Sequence, residues 1–187
     1  MENSNSCSGS LDGSELSERK ASLLYSAFWV CSLILLVDLL SKWAVVHWWT
    51  RVGAGAQELL LIDRFLGLSF AITYATNKGA AWGFFAEWQW PLFALRLIIV
   101  LLLLAYLAWS PFRQGEDGSR WGWALVATGA LANILDTLIY GHVVDLFLFT
   151  FGSYRFAIFN VADSAITVGV LLLLFSSLFS KAKPHVH

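Results

Sequence analysis

Asn133-Ile-Leu-Asp136, Gly141-His-Val-Val-Asp145 and Phe159-Asn-Val-Ala-Asp163 follow one another through otherwise oily sequence. The apolar run that ends at Tyr140 and the one that starts at Phe159 each approach the roughly 20 residues needed to span a hydrocarbon core. Three carboxylates therefore lie where one membrane helix ends, where the next begins, and in the connection between them. That placement decides the fold, and the rest of the chain is read outward from it.

Of the 187 residues, 58% are hydrophobic and 13% charged, against about a quarter charged in soluble domains. The apolar residues fall into four blocks, Leu23 to Trp48, Trp90 to Trp109, Trp121 to Tyr140 and Phe159 to Phe179, bounded by the interfacial rings Trp48, Trp49, Trp90, Trp109, Trp121 and Tyr140. The expected fold class is an all-α membrane protein of four transmembrane helices with a small outer-face β/amphipathic subdomain. Residues 22–180 form its single four-helix membrane domain, between a disordered cytoplasmic tail at 1–21, rich in Ser and Glu, and a short cytoplasmic tail at 181–187. The first span has no cleavage site after it and reads as a retained anchor. A net charge of -1 with no basic run argues against nucleic acid as a partner. Cys7 and Cys31 give no disulfide framework, and lipidation of Cys7 is disfavoured because no apolar run precedes it.

Basic residues set orientation. Arg19 and Lys20, Arg113 and Arg120, and Lys181 and Lys183 occupy three short segments, whereas the two longer connections carry Arg51, Arg64, Lys78 and Arg155. Both termini are expected in the cytoplasm, with the longer connections outside. Asp38 and Lys42, Asn133 and Asp136, and Asn160 and Asp163 then all fall in the outer leaflet. An ionisable residue at mid-helix costs roughly 2.5 to 3.5 kcal/mol on insertion scales, so six polar residues at one depth imply pairing or a shared cavity.

Local spacing supports convergence. Asp38 and Lys42 are four apart and can pair directly. Ala124, Thr128, Ala132 and Asp136 make a four-residue stripe suited to close helix packing, and Ala165 and Gly169 offer a similar edge. In the first outer connection Leu68, Phe70, Ile72 and Tyr74 alternate with smaller or polar residues, predicting a half-buried strand. Asn77-Lys78-Gly79 predicts a turn, and Ala80 to Phe85 an apolar segment on the membrane surface. The second outer connection reads as two arms, Val143 to Phe151 and Tyr154 to Phe159, reversing at Gly152-Ser153. Such a reversal carries Asp145 back towards Asp163.

Two carboxylates close together in a low-dielectric site do not both ionise readily, so one keeps a proton while the other acts as base. Amide hydrolysis needs that combination: a base for water and an acid for the carbonyl and leaving amine. His142 is the one histidine near these acids, and the site offers acids and amides where zinc prefers His and Cys, so neither a metal nor another cofactor is expected. Alternative readings stand beside these. Asp38 with Lys42 reads as a structural pair, and Asp136 as structural support. Asn133 and Asn160 orient by hydrogen bonding or clamp helices together. Asp145 taken alone is equally an ordinary loop acid. Arg96 reads as snorkelling to the interface, Asp63 with Arg64 as a solvated surface pair, and His142 as either a proton relay or a helix-end cap.

Taken together, Asp38-Leu-Leu-Ser-Lys42, Thr76-Asn77-Lys78-Gly79-Ala80-Ala81, Gly129 to Asp136, Gly141 to Asp145 and Phe159 to Ala165 resemble the bacterial lipoprotein signal peptidases, the signal peptidase II family. The resemblance implies that Asp145 and Asp163 are the catalytic pair, with Asp38, Lys42, Asn77, Asn133, Asp136 and Asn160 as the supporting polar set. It also implies the substrate, a lipid-modified prolipoprotein cut just before its diacylglyceryl-cysteine, and a location in the inner membrane among its lipids with the site at the outer face. Where the family usually carries Arg after the aspartate aligned with Asp136, this chain has Thr137; Ala132, Thr76 and Lys78 also depart from the pattern. Lys78 is expected to restore some positive charge near the lipid headgroup or the substrate carbonyl. The Thr137 departure keeps a non-catalytic member that binds lipoprotein or lipid as a rival. A proton-coupled transporter is disfavoured, since the inner halves of the spans are almost purely apolar.

Overall fold

A computed structural model describes residues 13–52, 58–79, 86–110 and 117–180. Cys7, Arg113, Lys181, Lys183 and the apolar segment from Ala80 to Phe85 lie outside these residues. The elements run α1 (Gly13–Val52), β1 (Leu59–Phe65), β2 (Leu68–Asn77), a single 3-10 turn at Ala86–Trp88, α2 (Gln89–Trp109), α3 (Asp117–Tyr140), β3 (Val143–Phe151), β4 (Tyr154–Arg155) and α4 (Val161–Ser180). All four helices are long and apolar enough to cross a membrane.

Helix α1 begins at Gly13, so residues 13–21, expected to be disordered, form its first turns instead. Glu15 lies in the first turn, where the helix dipole favours an acid, and Arg19 pairs with Asp117 at the start of α3. At 40 residues, a rise of about 1.5 Å each makes α1 about 60 Å long, well beyond a hydrocarbon core of about 30 Å. At the same end of the bundle, Arg120 Nη2 donates to Ser110 O at 2.8 Å. A residue that sets orientation therefore also caps the last turn of α2.

Helix α3 is central, packing against α1, α2, α4 and β3. Its closest approach is to α4, at glycines. A Cβ on Gly129 would stand 2.3 Å from the carbonyl oxygen of Ala162, and one on Gly169 would stand 2.7 Å from that of Gly122. The predicted stripe is therefore corrected in part: Ala132 and Asp136 are fully buried, but backbone contact with α4 is made by Gly122 and Gly129. Without a hydrophobic drive between helices in lipid, such close packing is what associates them.

The connections at the other end form one antiparallel sheet in the order β1-β2-β3-β4. The predicted strand is β2. A tight turn through Leu66 (φ 51°) and Gly67 (φ 81°) pairs it with β1, as two-residue hairpins with both φ values positive do. The reversal at Gly152-Ser153 is present, with Phe151 opposite Tyr154. Further on, Leu146 N and Phe147 N both donate to Phe159 O at 3.0 and 2.8 Å. These bonds draw the returning arm back along β3. Between Ile72↔Phe147 and Ala75↔Asp145, β2 spends one residue more than β3; this bulge bends the strand beside the acids. Strand β3 is buried from Val143 to Leu146, consistent with its β-branched and apolar sequence.

Gly129→Ala should lower the melting temperature of the purified protein, since overpacking against backbone costs typically about 1–3 kcal/mol. Gly13→Ala, with nothing within 4 Å of the new Cβ, should leave it unchanged. Equal melting temperatures for both variants and the parent would contradict the packing described.

Candidate active site

Lys42 is the hub. Its Nζ lies 2.6 Å from Asp38 Oδ2 and 2.7 Å from Asp136 Oδ2, and donates to Asn133 Oδ1 at 3.2 Å. Two ion pairs and one hydrogen bond from a single ammonium thus tie α1 to α3. Lys42, Asp38 and Asp136 are fully buried, so neither acid is open to direct solvent contact. The predicted Asp38–Lys42 pair is thus one side of a triad.

Each acid has a second task. Asp38 Oδ1 accepts Ala162 N at 2.8 Å, satisfying one of the four N–H groups that the first turn of α4 leaves without a helical partner. Asp136 Oδ2 accepts Val144 N at 3.1 Å, holding the start of β3 against α3. Gly141, at φ 76°, ends α3 by donating to Thr137 O at 3.1 Å, the left-handed C-terminal motif. His142 is therefore not needed as the cap. Its Nε2 is 3.2 Å from Tyr74 Oη, and burial, then Lys78, pushes its pKa down.

Asn160 joins the two acids of the expected pair. It precedes α4, and its Oδ1 accepts Asp163 N at 2.8 Å while its own N donates to Asp163 Oδ2 at 3.2 Å. That reciprocal pair is a capping box with Asn in place of Ser or Thr and Asp in place of Glu. It fixes the Asp163 carboxylate at a helix N-terminus, where negative charge is favoured. The amide of Asn160 reaches in the other direction, donating to Asp145 Oδ1 at 2.9 Å. Asn133 Nδ2 completes Asp163 at 2.9 Å on Oδ1, and Asn77 Nδ2 completes Asp145 at 3.2 Å on Oδ2. Asn77 reaches Asp145 because Ala75 pairs with Asp145 and Asn77 with Val143, which puts Asn77 diagonally across on the same sheet face.

Asp145, Asp163, Asn77 and Asn133 line one cavity of about 460 Å³ with Arg96 and the apolar side chains of Phe156, Ile158 and Ile166. A second hollow of about 450 Å³ on the sheet side shares Asp145 and Asn77 with it and is bordered by Arg155. Burial, and next the charge of Asp163, push the Asp145 carboxyl up to about 7. Asp38, Lys42 and Asp136 stand behind this wall, while Asn160 is fully buried between the acids.

One expectation changes. Arg96 faces the cavity and donates from Nη2 to Gly79 O at 2.6 Å, so it does not simply snorkel. The clue was available, because a lone cation within Leu-Phe-Ala-Leu-Arg-Leu-Ile-Ile is a site residue by default. Lys78 is exposed and is not among the residues lining the cavity. Asp63 and Arg64 form the expected exposed pair, at 3.6 Å.

Lys42→Met should destabilise the protein by roughly 3–5 kcal/mol, because it strands two buried carboxylates. Arg64→Met, breaking an exposed pair, should cost less than about 1 kcal/mol. Comparing denaturation midpoints in detergent checks this, and similar losses in both variants would contradict the buried hub.

The signal peptidase (SPase) II family model matches residues 30–179. The lipoprotein signal peptidase of Psychromonas ingrahamii is 36% identical over 163 residues, covering 83% of this chain and 87% of that one. The lipoprotein signal peptidase of Actinobacillus succinogenes is 39% identical over 156 residues, covering 81% and 89%. A solved bacterial membrane enzyme, 24% identical, shares the fold with a TM-score of 0.68 over 87% of this chain and 93% of its own. A family match over most of the chain, with relatives at this identity, means that the protein belongs to the signal peptidase II family.

Proposed function

We propose that Asp145 and Asp163 are the working acids with which this chain removes signal peptides from lipid-modified prolipoproteins, cutting just before the diacylglyceryl-cysteine. The chain is a multi-pass membrane aspartic endopeptidase, a lipoprotein signal peptidase, by its family. The observation that carries the choice of acids is Asn160, whose side chain holds Asp145 while its backbone holds Asp163, with both carboxylates on one cavity. Asp38, Lys42 and Asp136 act from behind as supports, and Asn77, Asn133 and Asn160 orient the acids.

The chemistry follows from one shared proton. The ionised carboxylate takes a proton from water as the oxygen attacks the scissile carbonyl carbon, and the protonated carboxyl donates to the carbonyl oxygen. Collapse of the tetrahedral species breaks the C–N bond, and a proton passes to the leaving amine of the lipidated cysteine. With Asp145 raised to about 7 by burial and by Asp163, increasing pH through that value removes the shared proton and the activity with it. Lowering pH until both groups are protonated removes the base. The profile is therefore bell-shaped, and its two limbs belong to the pair together.

The cavity suits the substrate. Phe156, Ile158, Ile166 and neighbouring apolar atoms line it beside the acids, matching a signal helix and acyl chains that arrive within the membrane. The distribution of Lys and Arg supports cytoplasmic termini and a site at the outer face, the side on which an exported precursor presents its cleavage point. The lipids around the four spans are partners in this reading. Thr137 is buried and donates to Asn133 O at 3.1 Å within α3, which leaves the asparagine side chain free to hold Asp163.

Processing of a purified lipidated precursor, followed by the mobility shift of the product, tests the assignment. Asp145→Asn and Asp163→Asn should each lower the rate by at least about a hundredfold, the lower range for removing a general acid or base. Asp63→Asn, on the exposed surface, should match the parent. Full activity in either dyad variant would sink the assignment.

A further inference from the structure

Arg96 has no task in the reaction as described, yet it is an arginine in the eighth position of α2, amid residues that face outward. Leu95, Leu97, Ile98 and Ile99 are all exposed, whereas Val100, one turn on from Arg96, is buried. Arg96 thus lies on the inward stripe of its helix. A cation there costs roughly 2.5–3.5 kcal/mol on insertion scales, which an apolar residue would not. Among the described residues no carboxylate pairs with it, and its bond is to a backbone carbonyl on the cavity wall, Gly79 O.

We propose that Arg96 is a positioning residue of the active site, pinning the Asn77–Gly79 turn so that the Asn77 amide is delivered to Asp145. The inference rests on reading Asp145 as one of the working acids. Three bonds make the connection. Arg96 Nη2 donates to Gly79 O at 2.6 Å, Gly79 N donates to Asn77 Oδ1 at 3.0 Å, and Asn77 Nδ2 donates to Asp145 Oδ2 at 3.2 Å. The middle bond settles the orientation of the amide: with its oxygen engaged by an N–H, its nitrogen faces the carboxylate. Asn77 is the last residue of β2, so strand pairing ends there and does not hold Lys78 or Gly79. Arg96 holds the turn from α2, and so ties the membrane bundle to the sheet across the cavity mouth.

The consequence reaches the chemistry through Asp145. A hydrogen bond donated to a carboxylate favours its charged form, and Asn77 opposes the upward push of burial and of Asp163 on Asp145. Releasing the turn should therefore move the alkaline limb of activity upward. The other charged groups around Asp145 stay in place: Asp163 on α4, and Lys42 on α1 with its partners Asp38 and Asp136. On the sheet side Arg155 pairs with Glu58 and His142 bonds Tyr74; Lys78 belongs to the turn and moves with it, but its side chain is already exposed.

The test is steady-state processing of a lipidated precursor across pH with the full-length protein. Its variants are Arg96→Leu, Arg96→Gln, Arg96→Lys, Asn77→Ala, Arg96→Leu with Asn77→Ala, and Asp145→Asn. Leu makes the span more apolar, so insertion is not compromised, and melting temperatures are compared throughout. Arg96→Leu should lower kcat about tenfold with KM within about twofold, and raise the alkaline limb by about half a pH unit. Asn77→Ala should do the same, the double variant should add little to either, and Arg96→Lys, which keeps a charged donor, should recover part of the loss. Arg96→Gln, which keeps only a neutral donor, should recover less than Lys. A rise in KM alone, an unmoved alkaline limb, or effects of Arg96 and Asn77 that add in full would each overturn the proposal. Activity in Asp145→Asn would instead remove the reading beneath it, whereas an inactive Asp145→Asn beside a normal Arg96→Leu removes this proposal alone.

Discussion

One buried ammonium group holds the arrangement together. Lys42 contacts Asp38, Asp136 and Asn133, and each partner passes the constraint on: Asp38 to the first turn of α4, Asp136 to the start of β3, and Asn133 to Asp163. The two segments that carry the acids are thus fixed to one point in α1. Apolar packing would not give this precision, since helix association in lipid rests on shape and lacks the hydrophobic drive available in water. Taking three charges out of water is expensive, and removal of the ammonium would leave both carboxylates uncompensated. The cost is met because the same charges satisfy backbone N–H groups that would otherwise be orphaned.

Helix geometry supplies the second constraint. Asn160 and Asp163 form a capping box, a device that ordinarily only starts a helix. Here the carboxylate of the box faces the cavity, and the asparagine that completes it also reaches across to Asp145. Stability of the helix terminus and placement of the acid are therefore the same interaction. Close contact of α3 with α4 at Gly129 and Gly169 then sets the distance over which Asn133 reaches Asp163.

The elements that were legible in the sequence are those whose physics is local. Four apolar runs, an alternating strand at Leu68 to Ala75 and a reversal at Gly152-Ser153 come from period and turn chemistry, and each appears in the fold. An i, i+4 spacing was enough to pair Asp38 with Lys42. Less visible were features that depend on two distant segments meeting. Asp136 was legible as facing the bundle, where it is buried, but its acceptance of Val144 N and its share of Lys42 were not. Arg96 looked like an interface anchor because its partner, the Gly79 carbonyl, is a backbone group that no side-chain pattern reveals. Residues 13–21 looked disordered by composition, and the Arg19–Asp117 pair that accompanies their helix is long-range. The capping box at Asn160 was, beside the lone cation at Arg96, a readable clue left unused, since Asn-x-x-Asp before an apolar run places an acid at a helix start.

In the proposed mechanism the two acids share a single proton. The most direct measurement is isotope-edited infrared spectroscopy of the aspartate carboxyls in the membrane-embedded protein, titrated across neutral pH. A shared proton gives one protonated-carboxyl band at mildly acidic pH that is lost in a one-proton step near pH 7 and is absent from both Asp145→Asn and Asp163→Asn at the parent's position. A band that persists unchanged in both variants, or no protonated carboxyl from this pair below neutrality, would contradict it.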